Sequence, residues 1–371
     1  VQRLVSLGML AAVVGGGVMF FKGLTPADVG DALHKSTAGV LPAAGGGTHY
    51  PAPGVAPAGY PAGQQGAASG VAAPPAEVIR VATFNIQVFG DAKANKARGP
   101  DGKSIVMAYL AATVQNFDLI AIQEIRTKDQ YFLQKWLADY VNQGGRTFDY
   151  VLGPRLGRTS SKEQYAFLYD VRKVEVNPQL VYTVQDSRED LLHREPLVAM
   201  FRAKNVPADR AFTFMMINTH TDPDETDTEL DALAQVYNAV RRHPIGEDDV
   251  ILLGDLNTAV PSREPGAAVR GRELSRSDLR GLATIPGVYP VVRNRSTNTA
   301  GTMLHDNILF STNSTTEFNG RSGVFDIGAV YGLPRELVKQ LSDHLPVWAE
   351  FSVYEGTAPG RVATGATPQQ R

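Results

Sequence analysis

The feature that most restricts this chain is a set of short apolar runs, each bounded by a carboxylate, an amide or an imidazole. VIRVATFNI, DLIAIQE, AFTFMMINTH and DVILLGDLN close on or beside Asn85, Glu124, His220, Asp255 and Asn257. HDNILF carries Asp306 near its start, and HLPVWAEFSV opens on His344 directly after Asp343. Runs of this length, rich in Val, Ile, Leu and Phe and flanked by turn residues, read as strands buried on both faces. Each polar residue alone has an ordinary explanation as a turn former or a satisfied histidine. Strand ends on one sheet edge converge, however, and six or more such groups together repel and resist desolvation unless positive charge sits among them. The chain has no cysteine, which excludes disulfides, thiolate zinc sites, iron–sulfur clusters and a cysteine nucleophile. Hard oxygen donors without thiolates suit Mg²⁺, Mn²⁺ or Ca²⁺.

Helical periodicity separates these runs. SIVMAYLAATVQNF places Ile105, Tyr109, Leu110, Thr113, Val114 and Phe117 on one face. QYFLQKWLADYVNQGG turns Leu133, Trp136, Leu137, Tyr140 and Val141 inward, with Gly144 and Gly145 as a stop signal. TELDALAQVYNAVRRH aligns Leu230, Leu233, Tyr237 and Val240. Further strands fall at Tyr150–Leu152, Tyr165–Tyr169, Val174–Val184 and Leu197–Phe201. The expectation is an α/β (α+β) domain, residues 78–354, in which helices cover a pair of packed sheets.

The flanks differ in texture. Residues 1–24 hold an uncharged apolar run, Leu4–Phe21, diluted by glycine and bordered by Arg3 and Lys22. Its length approaches the roughly 20 residues that cross a bilayer. It reads as a membrane anchor, with a signal peptide or a buried helix as the other readings. Residues 25–77 are rich in Ala, Gly and Pro and read as a flexible tether, and residues 355–371 as a disordered tail. The expected location is extracytoplasmic and membrane-anchored, or secreted if the apolar run is cleaved.

Lys and Arg number 36 against 38 Asp and Glu, a formal net charge of −2, so a polyanionic partner must be met by local basic loops. Two such loops are DAKANKARGPDGK and the stretch holding Arg263, Arg270, Arg272, Arg276 and Arg280. The latter is either a phosphate-contacting flap or a solvated loop balanced by Glu264, Glu273 and Asp278. The strand-end residues suit phosphodiester hydrolysis, which needs a base for water, an acid for the leaving oxygen and charge neutralisation at phosphorus. Two imidazoles supply proton transfer near neutral pH, and a cation held by Glu124 and its neighbours supplies the charge.

In ordered blocks from Val78 to Phe351, the chain resembles the endonuclease/exonuclease/phosphatase superfamily. TFNIQVFG, AIQEIR, INTHTDPDE, LLGDLNTA, LHDNILF and SDHLPVWAEF carry the superfamily pattern. KEQYAFLY, REPLVAMF and FDIGAVYGL look most like its DNase I branch. The resemblance implies a four-layer sandwich of two mixed β-sheets flanked by helices. It implies a metal held by Asn85, Glu124 and Asp343, and Asp255 and Asn257 positioning metal or phosphate. It pairs His344 with Asp306, here taken as base, and His220 with Glu163, taken as acid. Arg126 would enter the DNA minor groove, Arg194 would hold a phosphate and Tyr165 would join the substrate contacts. The implied cofactor is Mg²⁺ or Mn²⁺, the implied partner is DNA, and no obligate protein partner is implied.

Departures accompany the match. Ser161 and Gln87 stand where the pancreatic type has an aromatic and a basic residue, and His305 where it has tyrosine. Asp190 and Glu195 lie where that type binds a structural Ca²⁺, in a different loop. Two other functions compete with a DNA endonuclease: a phospholipid or sphingomyelin-type phosphodiesterase, and a non-catalytic binding module on a membrane stalk. The filled acid–base positions weigh against the last.

Overall fold

Alternation of buried β-runs with amphipathic helices builds two sheets in the computed structural model, which describes residues 77–99, 101–159, 162–186, 190–261 and 272–356. The first sheet uses β1 (Val78–Phe89), β2 (Leu119–Ile125), β3 (Phe148–Leu152), β4 (Gln164–Asp170), β11 (Phe318–Val324) and β12 (Val347–Ser352) in the order β11-β12-β1-β2-β4-β3. The second uses β5 (Val174–Thr183), β6 (Leu197–Ala203), β7 (Thr213–His220), β8 (Val250–Pro261), β9 (Val288–Pro290) and β10 (Met303–Ser311) in the order β5-β6-β7-β8-β10-β9. The helices are α1 (Asp91–Ala94), α2 (Ile105–Val114), α3 (Phe132–Asp139), α4 (Thr226–Arg241), α5 (Ile327–Tyr331) and α6 (Arg335–Leu341).

Each sheet has one parallel pair at its centre, β1 with β2 and β7 with β8, and antiparallel neighbours outside it. A parallel pair needs a long crossover, and α2 and α4 lie in the two crossovers. The C-terminal ends of β1, β2, β7 and β8 therefore point the same way within their sheets. Their antiparallel partners β4, β10 and β12 bring residues from the opposite chain direction to that edge. The polar strand ends of the sequence are gathered by this arrangement.

The inner faces meet in a dry core. Phe201, Phe212, Phe214, Phe310 and Phe351 are all nearly or fully buried and contact one another edge-on or stacked. One buried polar chain crosses it. Gln123 of β2 donates to Asn218 of β7 at 2.6 Å, and Asn218 donates back to the carbonyls of Ile122 and Ala166. Amides with every group paired lock the register of the sheets beneath the strand ends.

Several local expectations change. The helix expected over residues 130–145 stops at Asp139 and continues only as a short 3₁₀ turn, Val141–Gln143. Tyr140, expected inward, is half-buried, and its hydroxyl accepts from the Ser104 amide at 3.0 Å. Ile105 is also only half-buried, as the first residue of α2. The segment FDIGAVYGLPRELVKQL forms two unanticipated helices: Asp326 caps α5 by accepting from Ala329 N at 2.9 Å, and Gly332 (φ 62) ends it. Residues 1–24, the 25–77 tether up to residue 76 and the tail from 357 lie outside the described residues. Glu355, read with the tail, instead pairs with the body, its amide donating to Arg210 O at 2.9 Å. Among the described residues, no helix is long and apolar enough to cross a membrane.

Arg146 ties the strand ends opposite the polar edge. It reaches Asp118 at 2.5 Å, Asp170 at 2.8 Å and the Gln115 carbonyl at 2.7 Å. Burial alone would raise the Asp170 pKa, but bonds from Arg146 and then Arg172 hold it below the usual carboxylate value. A depressed native pKa contributes stability that is complete above the unfolded value of about 4 and disappears as pH falls through the native value. Arg146→Ala should lower stability at pH 7 by roughly 2–3 kcal/mol, under the fully buried range because the guanidinium keeps some water. The deficit, read from denaturant midpoints, should shrink as pH is lowered below about 4. An equal deficit at both pH values would contradict the assignment.

Candidate active site

Asp255 sits at the centre of the polar edge, nearly fully buried on β8. Its backbone is possible only because Gly254 precedes it. Gly254 has φ 149, and a Cβ there would lie 1.8 Å from the Thr219 carbonyl of the adjoining β7. Across the parallel ladder His220 is the register partner of Asp255, and across the antiparallel ladder Asp306 is. Strand pairing alone thus brings three predicted residues, separated by up to 86 positions in the chain, side by side.

Two imidazoles flank Asp255. His220 Nε2 and His344 Nε2 each lie 3.6 Å from the same Asp255 Oδ2. Behind them, His220 Nδ1 is 2.7 Å from Glu163 Oε1, and His344 Nδ1 is 2.8 Å from Asp306 Oδ2. Each ring is held by its own carboxylate and presents its other nitrogen to the shared centre. Burial opposes a charged imidazole at both rings. At His344 the Asp306 and Asp255 carboxylates outweigh it and raise the pKa to about 10, and at His220 Glu163 does so. Burial likewise opposes ionisation of Asp255, but His344 and His220 pull its pKa down to about 2. Asp306 moves upward, through burial and the nearby Asp255 charge, so the His344–Asp306 pair keeps its proton.

The predicted metal-side residues adjoin this centre. Asn85 is fully buried at the end of β1, and its Nδ2 donates to Glu124 Oε1 at 3.2 Å and to Asp255 Oδ2 at 3.0 Å. Glu124 accepts from Val88 N at 3.0 Å and meets Arg126 at 3.2 Å. Both Glu124 (φ 61) and Val88 (φ 48) occupy the left-handed region, which side chains other than Gly and Asn enter at an energetic cost. That strain turns the Val88 N–H and the Glu124 carboxylate toward each other. Asp343 lies at the rim, accepting from Gln87 Nε2 at 2.8 Å. The buried Oδ1 atoms of Asn85 and Asp306 have no hydrogen-bond partner, and the ligand atoms of Asp255, Asp306 and His344 lie within 4.8 Å of one another. Orphaned oxygens in a set of hard donors fit a divalent cation.

Other predicted residues take different positions. Asn257 (φ 45) turns back, its amide accepted by Asp255 Oδ1 at 3.0 Å and its side chain donating to Thr221 O at 2.8 Å. Arg126 folds inward and bridges Glu124 and Glu163. Arg194 is buried against Glu163 at 3.0 Å. Tyr165 corrects the sequence expectation: it is 1% exposed, so it offers no substrate surface, and its hydroxyl accepts from His220 N at 3.1 Å. It braces the histidine from behind. Among the described residues, no group of three metal-ligating side chains includes Asp190 or Glu195. Asp190 is exposed and joined to Arg158 at 3.2 Å. Within the described part of that basic stretch, Arg272 pairs with Asp278, one of the acids expected to balance it, and Arg280 pairs with Asp227 of α4. Ser161, Arg263 and Arg270 lie outside the described residues.

Four participants were given no role at the site by the sequence. Ser342 Oγ donates to Asn85 O at 2.8 Å and accepts from Gln87 N and His344 N, fastening the Asp343–His344 turn to β1. Thr297 Oγ1 accepts from His305 N and Asp306 N. The His305 ring lies 5.7 Å from that of His344, centroid to centroid. Lys93, in a stretch read as a basic loop, is buried, donates to Gln340 O at 3.1 Å, and has its pKa lowered by burial to about 8 despite the pull of Asp343 and Glu124.

Two six-stranded mixed sheets with two carboxylate-backed histidines over one edge define the class, and residues 82–344 match the endonuclease/exonuclease/phosphatase family. The chain belongs to that family, in its DNase I-like branch. It is 32% identical over 288 residues to deoxyribonuclease gamma of Rattus norvegicus, spanning 76% of this chain and 86% of the relative. To deoxyribonuclease gamma of Homo sapiens it is 30% identical, over 76% of this chain and 87% of that one. To deoxyribonuclease-1 of Bos taurus it is 29% identical, over 72% and 90% respectively.

Proposed function

We propose that this chain is a divalent-metal-dependent, weakly sequence-specific DNA endonuclease. The observation that carries the reading is the pair of imidazoles placed at 3.6 Å on one Asp255 oxygen, each backed by a separate buried carboxylate. A phosphodiester bridging that gap meets one nitrogen on each side. In this reading the two imidazoles, His344 oriented by Asp306 and His220 oriented by Glu163, divide the proton transfers: the neutral one takes the proton of the attacking water and the protonated one gives its proton to the leaving oxygen. Asp255 and Asn257 position the phosphate or the cation. Asn85 and Glu124, with Asp343 at the rim, would hold a cation of the Mg²⁺ or Mn²⁺ type, which when bound supplies charge neutralisation at phosphorus.

DNA as the substrate is supported by the names of the relatives, all deoxyribonucleases. Weak sequence preference follows because a site of this kind grips the phosphate backbone, which carries no base information directly. Apolar residues 4–21 support placement outside the cytoplasm on a membrane anchor, with secretion after cleavage as the alternative.

The test pairs two substrates. Supercoiled plasmid with Mg²⁺ should be nicked by the full chain, and a chelator should abolish nicking. Sphingomyelin vesicles under the same conditions should stay intact. Head-group release alongside intact plasmid would transfer the same chemistry to a lipid diester.

A further inference from the structure

We infer that the cleft between the loop at residues 295–302 and helices α5 and α6 is a subsite for one sugar-phosphate unit of the DNA strand flanking the scissile bond, an inference that rests on the endonuclease reading above. The cleft encloses about 450 Å³, within the roughly 300–1,000 Å³ of ligand-binding clefts. Arg295 and Arg335 line it, both exposed, and neither has an acidic or hydrogen-bonding partner among the described residues. Arg272, Arg280 and Arg321, by contrast, each pair with an acid. Asp326 is the one acid of the lining, and its Oδ1 is committed to the α5 cap, accepting from Ala329 N at 2.9 Å. The cleft is therefore locally positive in a chain whose formal total is −2. Leu333, Val338 and Leu345 supply the apolar part of its wall. Two guanidiniums without partners beside an apolar surface suit a phosphate oxygen pair with a deoxyribose laid alongside.

One wall of the cleft is bonded to the catalytic turn. Thr299 N donates to Asp343 O at 2.7 Å, Leu345 N donates to Thr297 O at 2.7 Å, and Asn298 forms a backbone bridge with His344. The other wall leaves the same edge. Val324, which ends β11, is the register partner of Val347, which starts β12 three residues after His344. A phosphodiester chain that bridges the two imidazoles and runs on past His344 meets this cleft next. The loop is preformed: Asn298 Oδ1 accepts from Ser296 Oγ at 2.7 Å and from Thr302 N at 2.9 Å, and Asn298 Nδ2 donates to Thr302 Oγ1 at 3.0 Å. A loop closed by its own side chains has little freedom left to lose on binding. The subsite grips a unit that takes no part in bond breaking, so it acts on KM more than on kcat.

The experiment measures binding of a fluorescently labelled DNA duplex by anisotropy, with the full chain in chelator and salt varied between about 50 and 200 mM. Plasmid nicking with Mg²⁺ is followed in parallel. The variants are Arg295→Ala, Arg335→Ala and Ala329→Phe, which fills the cleft without changing its charge. Arg202→Ala, near the opposite end of the second sheet, controls for net charge. Each cleft arginine removed should weaken binding to all duplex sequences alike and reduce the slope of log K against log salt by about 1. Ala329→Phe should weaken binding too, Arg202→Ala should not, and KM for nicking should rise severalfold in the three cleft variants with kcat changing far less. Wild-type nicking with the same affinity and salt slope in every variant would overturn the subsite and leave the endonuclease reading intact. Absence of nicking, with the slope still lowered by both arginine changes, would overturn that reading and keep the subsite. An equal loss in Arg202→Ala, or a loss of binding to anionic lipid vesicles with DNA binding unchanged, would also overturn it.

Discussion

Replacing His344 by alanine should slow plasmid nicking by about 10²–10⁴-fold, the usual contribution of a positioned acid or base. His344 Nε2 is one of the two nitrogens on Asp255, and its other nitrogen is committed to Asp306. Alanine leaves Asp306 buried with no imidazole beside it. Asp306→Asn should also slow nicking, by less, because the ring remains but its tautomer and orientation are no longer specified. Combining the two changes should add little to His344→Ala, since the carboxylate acts through the ring. Losses that multiply would show that Asp306 works independently of His344. The rate of conversion of supercoiled to nicked plasmid under saturating Mg²⁺ reads all three.

Glu163→Gln carries the largest expected loss of stability. Glu163 is 1% exposed and faces His220 at 2.7 Å, Arg194 at 3.0 Å and Arg126 at 3.3 Å. Burial alone would raise its pKa, but His220, then Arg194 and Arg126, keep it low and the carboxylate charged. Glutamine preserves the shape and removes the charge that three cationic groups share. Arg194 then stays buried without its 3.0 Å partner, with Glu229 and Asp222, the latter 3.9 Å away, as remaining acidic neighbours. Leaving a buried charge uncompensated costs about 3–5 kcal/mol. The denaturant midpoint at pH 7 should fall accordingly, and nicking should fall as well, because His220 loses its orienting partner. A midpoint within error of wild type would mean that Glu163 is protonated in the native protein.

The strand-end residues were legible because a buried apolar run that stops at Asn85, Glu124, His220 or Asp255 has no packing reason to end on a polar group. The two-sheet fold followed from the same runs. What pairs those ends is less visible in a linear reading. The contact between Asn85 and Asp255 depends on one sheet lying over the other, which no periodicity encodes. Lys93 was hidden by composition, since a lysine among Lys96, Arg98 and Lys103 looks solvent-facing until α1 folds it against Gln340. Tyr165 and Arg194 sit beside chemically active residues and so looked like substrate contacts, yet both spend their polar groups on the histidine–carboxylate pair. Strand β11, FNGRSGV, is too polar and glycine-rich to stand out, and it is held as an edge by β12. The helices α5 and α6 are too short for a periodic signal, although Asp326, Gly332 and Pro334 mark their limits.

The most direct measurement is Mg²⁺-dependent nicking of supercoiled plasmid by the His220→Ala/His344→Ala double variant of the full chain. The geometry predicts that nicking falls to the level of the chelated wild type, with the variant still folded by its melting transition. Metal-dependent nicking at a rate near wild type would show that the two imidazoles over Asp255 are not where the P–O bond is broken.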